Sequence, residues 1–257
     1  MKNGEKQFSF IRARALLWVA LGVCIFIGAW WALAAAADNS IIFPSPWECF
    51  GDLWQTLCSG QFWRSFWGSF LRSTIGFAVS VVAAVLFGYL GKVCKPIKLV
   101  LAPVVGILRS LPTMSVILLF VLWLGGELTP LMVSGLVIFP TLYGGLDASL
   151  CSIPPELEET AKLYAGKRWY TVTRVYAPLS AKPFVKIMGG GASLSLKLTV
   201  AAEVLAQTRN SLGLIMQETK IYFEMGRLVA VTAITVVASL IIELVFYIIY
   251  RIIERIF

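Results

Sequence analysis

Few residues in this 257-residue chain are able to do chemistry, and their spacing excludes most reactions. There is no histidine, which removes Ser–His and Cys–His nucleophile pairs, histidine metal ligands and histidine proton relays together. Aspartate stands only at 38, 52 and 147. No two of these share an apolar span, so no intramembrane aspartyl dyad is expected. The five cysteines, at 24, 49, 58, 94 and 151, show no Cys-x-x-Cys spacing, which argues against a zinc or iron–sulfur site. Cys49 and Cys58 either pair in an oxidising compartment or remain inert thiols, and the second is the expectation. The Gly-Lys pairs are Gly91-Lys92-Val93 and Gly166-Lys167-Arg168. Neither has the preceding Gly and following Ser or Thr that let backbone amides and a lysine cradle phosphates. The chain is therefore read as no enzyme, with no cofactor and no metal of its own.

What must position the remaining polar groups is a set of apolar helices. Hydrophobic residues make up 58% and charged residues 14% of the chain, and mean hydropathy is +0.81. A soluble domain carries about 25% charged residues, and a disordered one needs low hydrophobicity. An all-α polytopic membrane protein remains, because each helix satisfies its own backbone in lipid. Six stretches qualify: 15–37, 73–91, 110–126 (preceded by the apolar run 99–108 and Arg109), 128–146, 187–202 and 228–250. The first exceeds the 7–15 apolar residues usual in a signal peptide and is read as a retained helix. The stretch 38–72 is too polar to span and is rich in Trp (47, 54, 63, 67), so it reads as an outer interfacial helix, with docking of a partner protein as the alternative,.

The net charge of +8 points to cytoplasmic loops rather than nucleic acid,. With the N-terminus inside, the segments 1–14, 92–98, 147–186 and 251–257 hold 15 Lys and Arg against 5 in the outer segments. That bias places both termini in the cytoplasm. The chain is read as one transmembrane domain, 1–257, with core spans in 73–250 and a tail at 251–257.

Three charges fall in or beside spans. Lys197 lies mid-span, where a charge must face protein or a water-filled path. It either pairs with Glu243 or lines a path for an anion. Glu203 is near the outer mouth and about 120° from Lys197 around the helix, so a different partner is expected for it. Arg109 precedes Pro112, which should kink the third span. Its guanidinium either snorkels to the inner boundary or lines a gate. Gly189, Gly190, Gly191 and Ser193 offer a small-residue face for close packing.

The inner segment 147–186 is too long for a plain connector. Pro154-Pro155 suits a helix start. Glu156, Glu158 and Glu159 follow at the positive end of that helix, with Gly166 as its stop and Lys167 and Arg168 at the negative end. A second short helix through Trp169–Tyr176 should end at Pro178. This knob either covers the bundle or docks a cytoplasmic partner.

Glu159-Thr160-Ala161, Ala165-Gly166 and Val175-Tyr176-Ala177-Pro178 resemble the EAA loop of ABC importer permeases. Glu159, Ala165 and Pro178 keep its spacing. Thr160, Ala165 (with Gly166 just after) and Ala177 depart from the family's Ala, Gly and Leu. Phe43-Pro44-Ser45-Pro46, Arg109-Ser110-Leu111-Pro112 with Leu122-Trp123-Leu124-Gly125, and Ala201-Ala202-Glu203-Val204-Leu205 are also similar to family segments. The resemblance covers about 40–250 and looks closest to the nitrate/sulfonate/taurine branch. It implies a type I importer permease of a bacterial inner membrane. Two copies would form the pathway, lined by Lys197, Glu203 and Arg109. Two ATP-binding subunits, which hold the ATP and Mg, would dock against Glu158, Glu159, Ala161, Ala165, Gly166 and Pro178. An extracytoplasmic binding protein would deliver a small anion or, alternatively, a vitamin precursor. A stand-alone channel or secondary carrier is the rival, and it leaves the loop without a purpose.

Overall fold

The computed structural model describes residues 18, 21–22, 24–36, 43–164 and 168–256, with the side chains of 161–164, 168 and 256 set aside. Every regular element among them is helical. In chain order these are α1 (Cys24–Ala36), α2 (Pro46–Cys58), α3 (Gly60–Val93), α4 (Lys95–Ser110), α5 (Thr113–Cys151), α6 (Pro155–Tyr164), α7 (Arg168–Thr171), a π turn (Val172–Tyr176), α8 (Ala177–Ala206), α9 (Leu212–Ile221) and α10 (Met225–Ile256). Three of them, α3, α5 and α10, are long and apolar enough to cross a membrane. At 30 residues α8 is also long enough, but it carries Lys182, Lys186, Lys197 and Glu203.

The contacts gather in two units. One joins the described part of 1–59 to Glu218–Val231. In it, Ser45 caps α2 through a capping box with Glu48, and the Trp30 indole donates to the Pro44 carbonyl at 3.2 Å. Cys49 is buried, Cys58 is exposed, and both are free thiols. The other unit, Gly60–Gln217 with Thr232–Phe257, holds the helical core. There Ile138, Leu142, Leu146, Leu150 and Leu196 are fully buried.

Small residues let these helices approach closely. Ser65, Ser69, Ser73, Gly76, Ser80, Ala84, Gly88 and Gly91 recur every three or four residues along α3, and all are buried. A Cβ on Gly76 would stand 1.9 Å from the Ser134 hydroxyl, and one on Gly88 would stand 2.6 Å from Leu146 Cδ2. Ser195 Oγ of α8 donates to the Ser73 carbonyl at 3.0 Å, and Ser80 Oγ of α3 donates to the Gly135 carbonyl at 2.6 Å. The expected packing face of α8 holds at two of its three glycines. Gly189 abuts Phe246 and Gly191 abuts Leu142, whereas Gly190 meets nothing within 4 Å.

Three expectations change. First, α3 begins at Gly60 rather than near residue 73, so the aromatic segment divides into α2 and the first turns of α3. Phe62, Trp63, Phe66, Trp67 and Phe70 pack edge to face along those turns at helical spacing, which a window of mean hydropathy overlooks. Second, the third span is not kinked at Pro112 but interrupted there. Leu111 and Pro112 are extended, α4 ends at Ser110 and α5 starts at Thr113. A residue before proline is pushed out of the helical region, and proline is well suited to stand beside a helix start. Arg109 thus belongs to the last turn of α4. The expected third and fourth spans meet at Gly125, whose φ of +74° and ψ of 176° break α5 into two stretches. Third, Pro178 does not end a helix. It opens α8, and the π turn before it absorbs the missing amide, with the Ala177 N–H donating to the Val172 carbonyl,.

Candidate functional site: the α6 loop and a buried charge knot

The α6 end of the bundle is built around Lys92, in the last turn of α3. Its ammonium donates to the Leu150 carbonyl at 3.2 Å, where α5 ends. It forms an ion pair with Glu158 of α6 and lies 5.2 Å from the centre of the Tyr176 ring in the π turn. Ile153, Val172 and Tyr176 are buried beneath it with Leu150. Burial raises the Tyr176 phenol above its ordinary range, with the Glu158 carboxylate adding to the rise and Lys92 opposing it. Nearby, Lys98 of α4 donates to Asp147 of α5 at 2.5 Å, and that bond raises the ammonium above the usual lysine range.

The residues expected in the docking loop separate. Glu158 is half-buried and turned onto Lys92, whereas Glu159 is exposed. Leu157 is also exposed. Ala161 is within α6. Ala165 and Gly166 lie outside the described residues. Pro178 is exposed at the start of α8.

Lys197 is exposed on α8 and shares a stripe with Gly190, Leu194, Ala201 and Leu205. Among the described residues it has no ion pair, and none joins it to Glu243. Arg109 donates to the Pro140 carbonyl of α5 at 2.9 Å and passes over Gly144. A Cβ at Gly144 would meet the guanidinium at 1.8 Å.

Glu203 is fully buried in the last turns of α8. Ser69 Oγ donates to its carboxylate at 2.6 Å, Arg72 at 3.2 Å and the Gly213 amide at 3.3 Å. Ser69 Oγ accepts in turn from the Leu212 N–H at 2.9 Å. Arg72 continues to Glu127 of α5 at 3.4 Å and to the Arg209 carbonyl at 2.9 Å. Glu127 accepts from the Arg209 amide at 3.1 Å, and Thr208 donates to the Gly126 carbonyl at 2.7 Å. Gln207 and Asn210 hold positive φ, of 51° and 45°, and these contacts over-determine that strained turn. The loop 207–211 is thereby tied to α3, α5 and α8 at once. Sequence reasoning placed Glu203 but missed Ser69, Arg72 and Glu127, and its only signal for them was a lone arginine at the edge of a span.

The all-helical bundle, with α5 broken at Gly125, the short polar helix α6 and apolar spans, has the type I ABC importer permease fold. Solved structures agree. The chain matches the MetNI methionine ABC transporter in an inward-facing conformation with a TM-score of 0.63 and 16% identity, covering 74% of this chain and 93% of that one. It matches a bacterial ABC transporter involved in import of the acidic polysaccharide alginate with a TM-score of 0.64 and 16% identity, covering 96% and 98%. Residues 80–256 match the model of the binding-protein-dependent transport system inner membrane component. The chain belongs to that family. Among relatives, the riboflavin transport system permease protein RibX of Chloroflexus aurantiacus is 27% identical over 196 residues, 74% of this chain and 72% of its own. A Bacillus subtilis permease named for aliphatic sulfonates transport, SsuC, is 24% identical over 211 residues, 82% of this chain and 73% of its own. The chain is thus an inner-membrane component of a binding-protein-dependent transport system.

Proposed function

We propose that this chain forms, with a second copy of itself, the path by which an ATP-driven importer carries a small anion such as a sulfonate or nitrate. The observation that carries the reading is the state of Lys197. It is a cation two-thirds of the way along a 30-residue helix, exposed beside Gly190, Leu194 and Ala201, with no acid beside it among the described residues. A charge at that depth is stable only against water or a partner. A second copy facing this stripe encloses a water-filled path in which the ammonium favours anions over cations. The chain leaves ATP hydrolysis to two partner subunits, which dock on the exposed Glu159 side of α6. Both termini face the cytoplasm, and the whole chain acts as one transmembrane domain.

The similarity to RibX favours a second reading, a flat vitamin of the riboflavin type. The two are separated by uptake in cells that lack the chromosomal copy of this chain. Labelled alkanesulfonate, nitrate and riboflavin are supplied in turn. Uptake of an anion restored by the wild-type chain, and lost with Lys197→Glu, supports the first reading. Restored riboflavin uptake with no effect on the anions replaces it with the second.

A further inference from the structure

We infer that Lys92 is the positioning residue that links movement of α6 to the membrane helices. The inference rests on the reading that α6 seats on an ATP-binding subunit. Such a helix transmits work only if something holds it to the spans. α6 is 10 residues long and strongly polar in composition, with Glu156, Glu158 and Glu159 in its first half. Three attachments converge on one ammonium: the Glu158 carboxylate of α6, the Leu150 carbonyl that closes α5, and the Tyr176 ring face in the turn that feeds α8. Lys92 itself ends α3, where a cation also complements the helix dipole. An ammonium offers three donors and no acceptor, so it has one donor for the carboxylate and one for the carbonyl, with its charge over the ring. The side chains of Lys92 and Glu158 are about one-fifth exposed, so water screens this pair less than an open surface pair. Displacing α6 therefore pulls on α3, α5 and the start of α8 together. Glu159, one residue on, is exposed and free to face the ATP-binding subunit. The paired acids divide the work: Glu158 faces inward to the bundle and Glu159 outward.

The test uses the whole transporter in vesicles and reads substrate imported per ATP hydrolysed, with co-purification of the ATP-binding subunit as a second readout. Lys92→Glu and Glu158→Lys each lower the transport-to-hydrolysis ratio about tenfold while the subunit stays bound, and the double reversal recovers most of it, as direct coupling between neighbours requires. Lys92→Arg keeps the ratio near wild type. Lys92→Gln, without the like-charge repulsion, repeats the loss should the reversal fail to insert. A wild-type ratio in Lys92→Gln, or a double reversal no better than the single variants, overturns the inference. Glu159→Lys serves as the reference. If it releases or uncouples the ATP-binding subunit while Lys92 variants do nothing, the role of Lys92 fails and the docking of α6 stands. If Glu159→Lys leaves both association and coupling intact, the docking itself fails.

Discussion

Arg72 and Glu203, 131 residues apart in the chain, form an ion pair of 3.2 Å between α3 and α8, with the carboxylate fully buried and the guanidinium largely so. Removing one partner leaves the other buried and uncompensated, which costs about 3–5 kcal/mol. Glu203→Ala should therefore lower the unfolding midpoint of the detergent-solubilised protein sharply. Glu203→Gln keeps a carbonyl acceptor for Ser69 and should fall between the two. An unchanged midpoint in Glu203→Ala would refute the knot as a stabilising element.

Glycine substitutions separate packing from helix propensity. A Cβ on Gly213 would stand 2.4 Å from Glu203 Cβ and 2.5 Å from the backbone nitrogen of Val204, neither of which can move freely. Gly213→Ala should destabilise by more than about 1 kcal/mol, in the range of overpacking in a tight core. Gly190→Ala meets open space and should be neutral or stabilise by about 0.5–1 kcal/mol. Thermal unfolding of the two variants side by side should give shifts of opposite sign, or a shift for Gly213 alone.

Lys197→Ala should reduce anion uptake severalfold while ATP hydrolysis remains responsive to the binding protein, and Lys197→Arg should retain most of it. Initial rates across substrate concentrations check this. Equal rates in all three proteins would show that the charge has no part in passage.

Glu159→Lys should abolish uptake without affecting insertion, because it reverses an exposed charge that holds nothing together within the described bundle. Gly166→Pro should do the same, because proline cannot adopt the left-handed conformation expected of a glycine at the stop the sequence places there. Membrane abundance and transport are measured on the same preparation, and normal transport by both variants would contradict the docking role.

Helix class and membrane character were open to direct reading, because an apolar run of about 20 residues has few fates other than a spanning helix. The aromatic stretch before residue 73 was harder, since Arg64 and Arg72 lower its mean hydropathy while helical spacing continues through it. Pro112 was recognised as a disturbance. Whether it would kink the helix or divide it depended on Leu111, which adopts an extended conformation and ends α4. For Pro178 the sense was reversed, because a π turn upstream removes the conflict with the missing amide.

Composition and residue order alone determined that the chain is a helical membrane protein without histidine chemistry or a phosphate-binding loop, and that its inner loop carries an importer-type pattern. Tertiary structure alone decided the partners: Arg72 and Ser69 for Glu203, Lys92 for Glu158, and Pro140 for Arg109. It also decided that the small residues of α3 form a buried seam. The physical reason is that hydropathy measures transfer into an apolar phase, and a helix face buried in protein and one facing lipid are equally apolar. Which face is which, and which charge meets which, depends on contacts between segments well separated in the chain, by 31 residues for Arg109 and Pro140 and by 134 for Ser69 and Glu203.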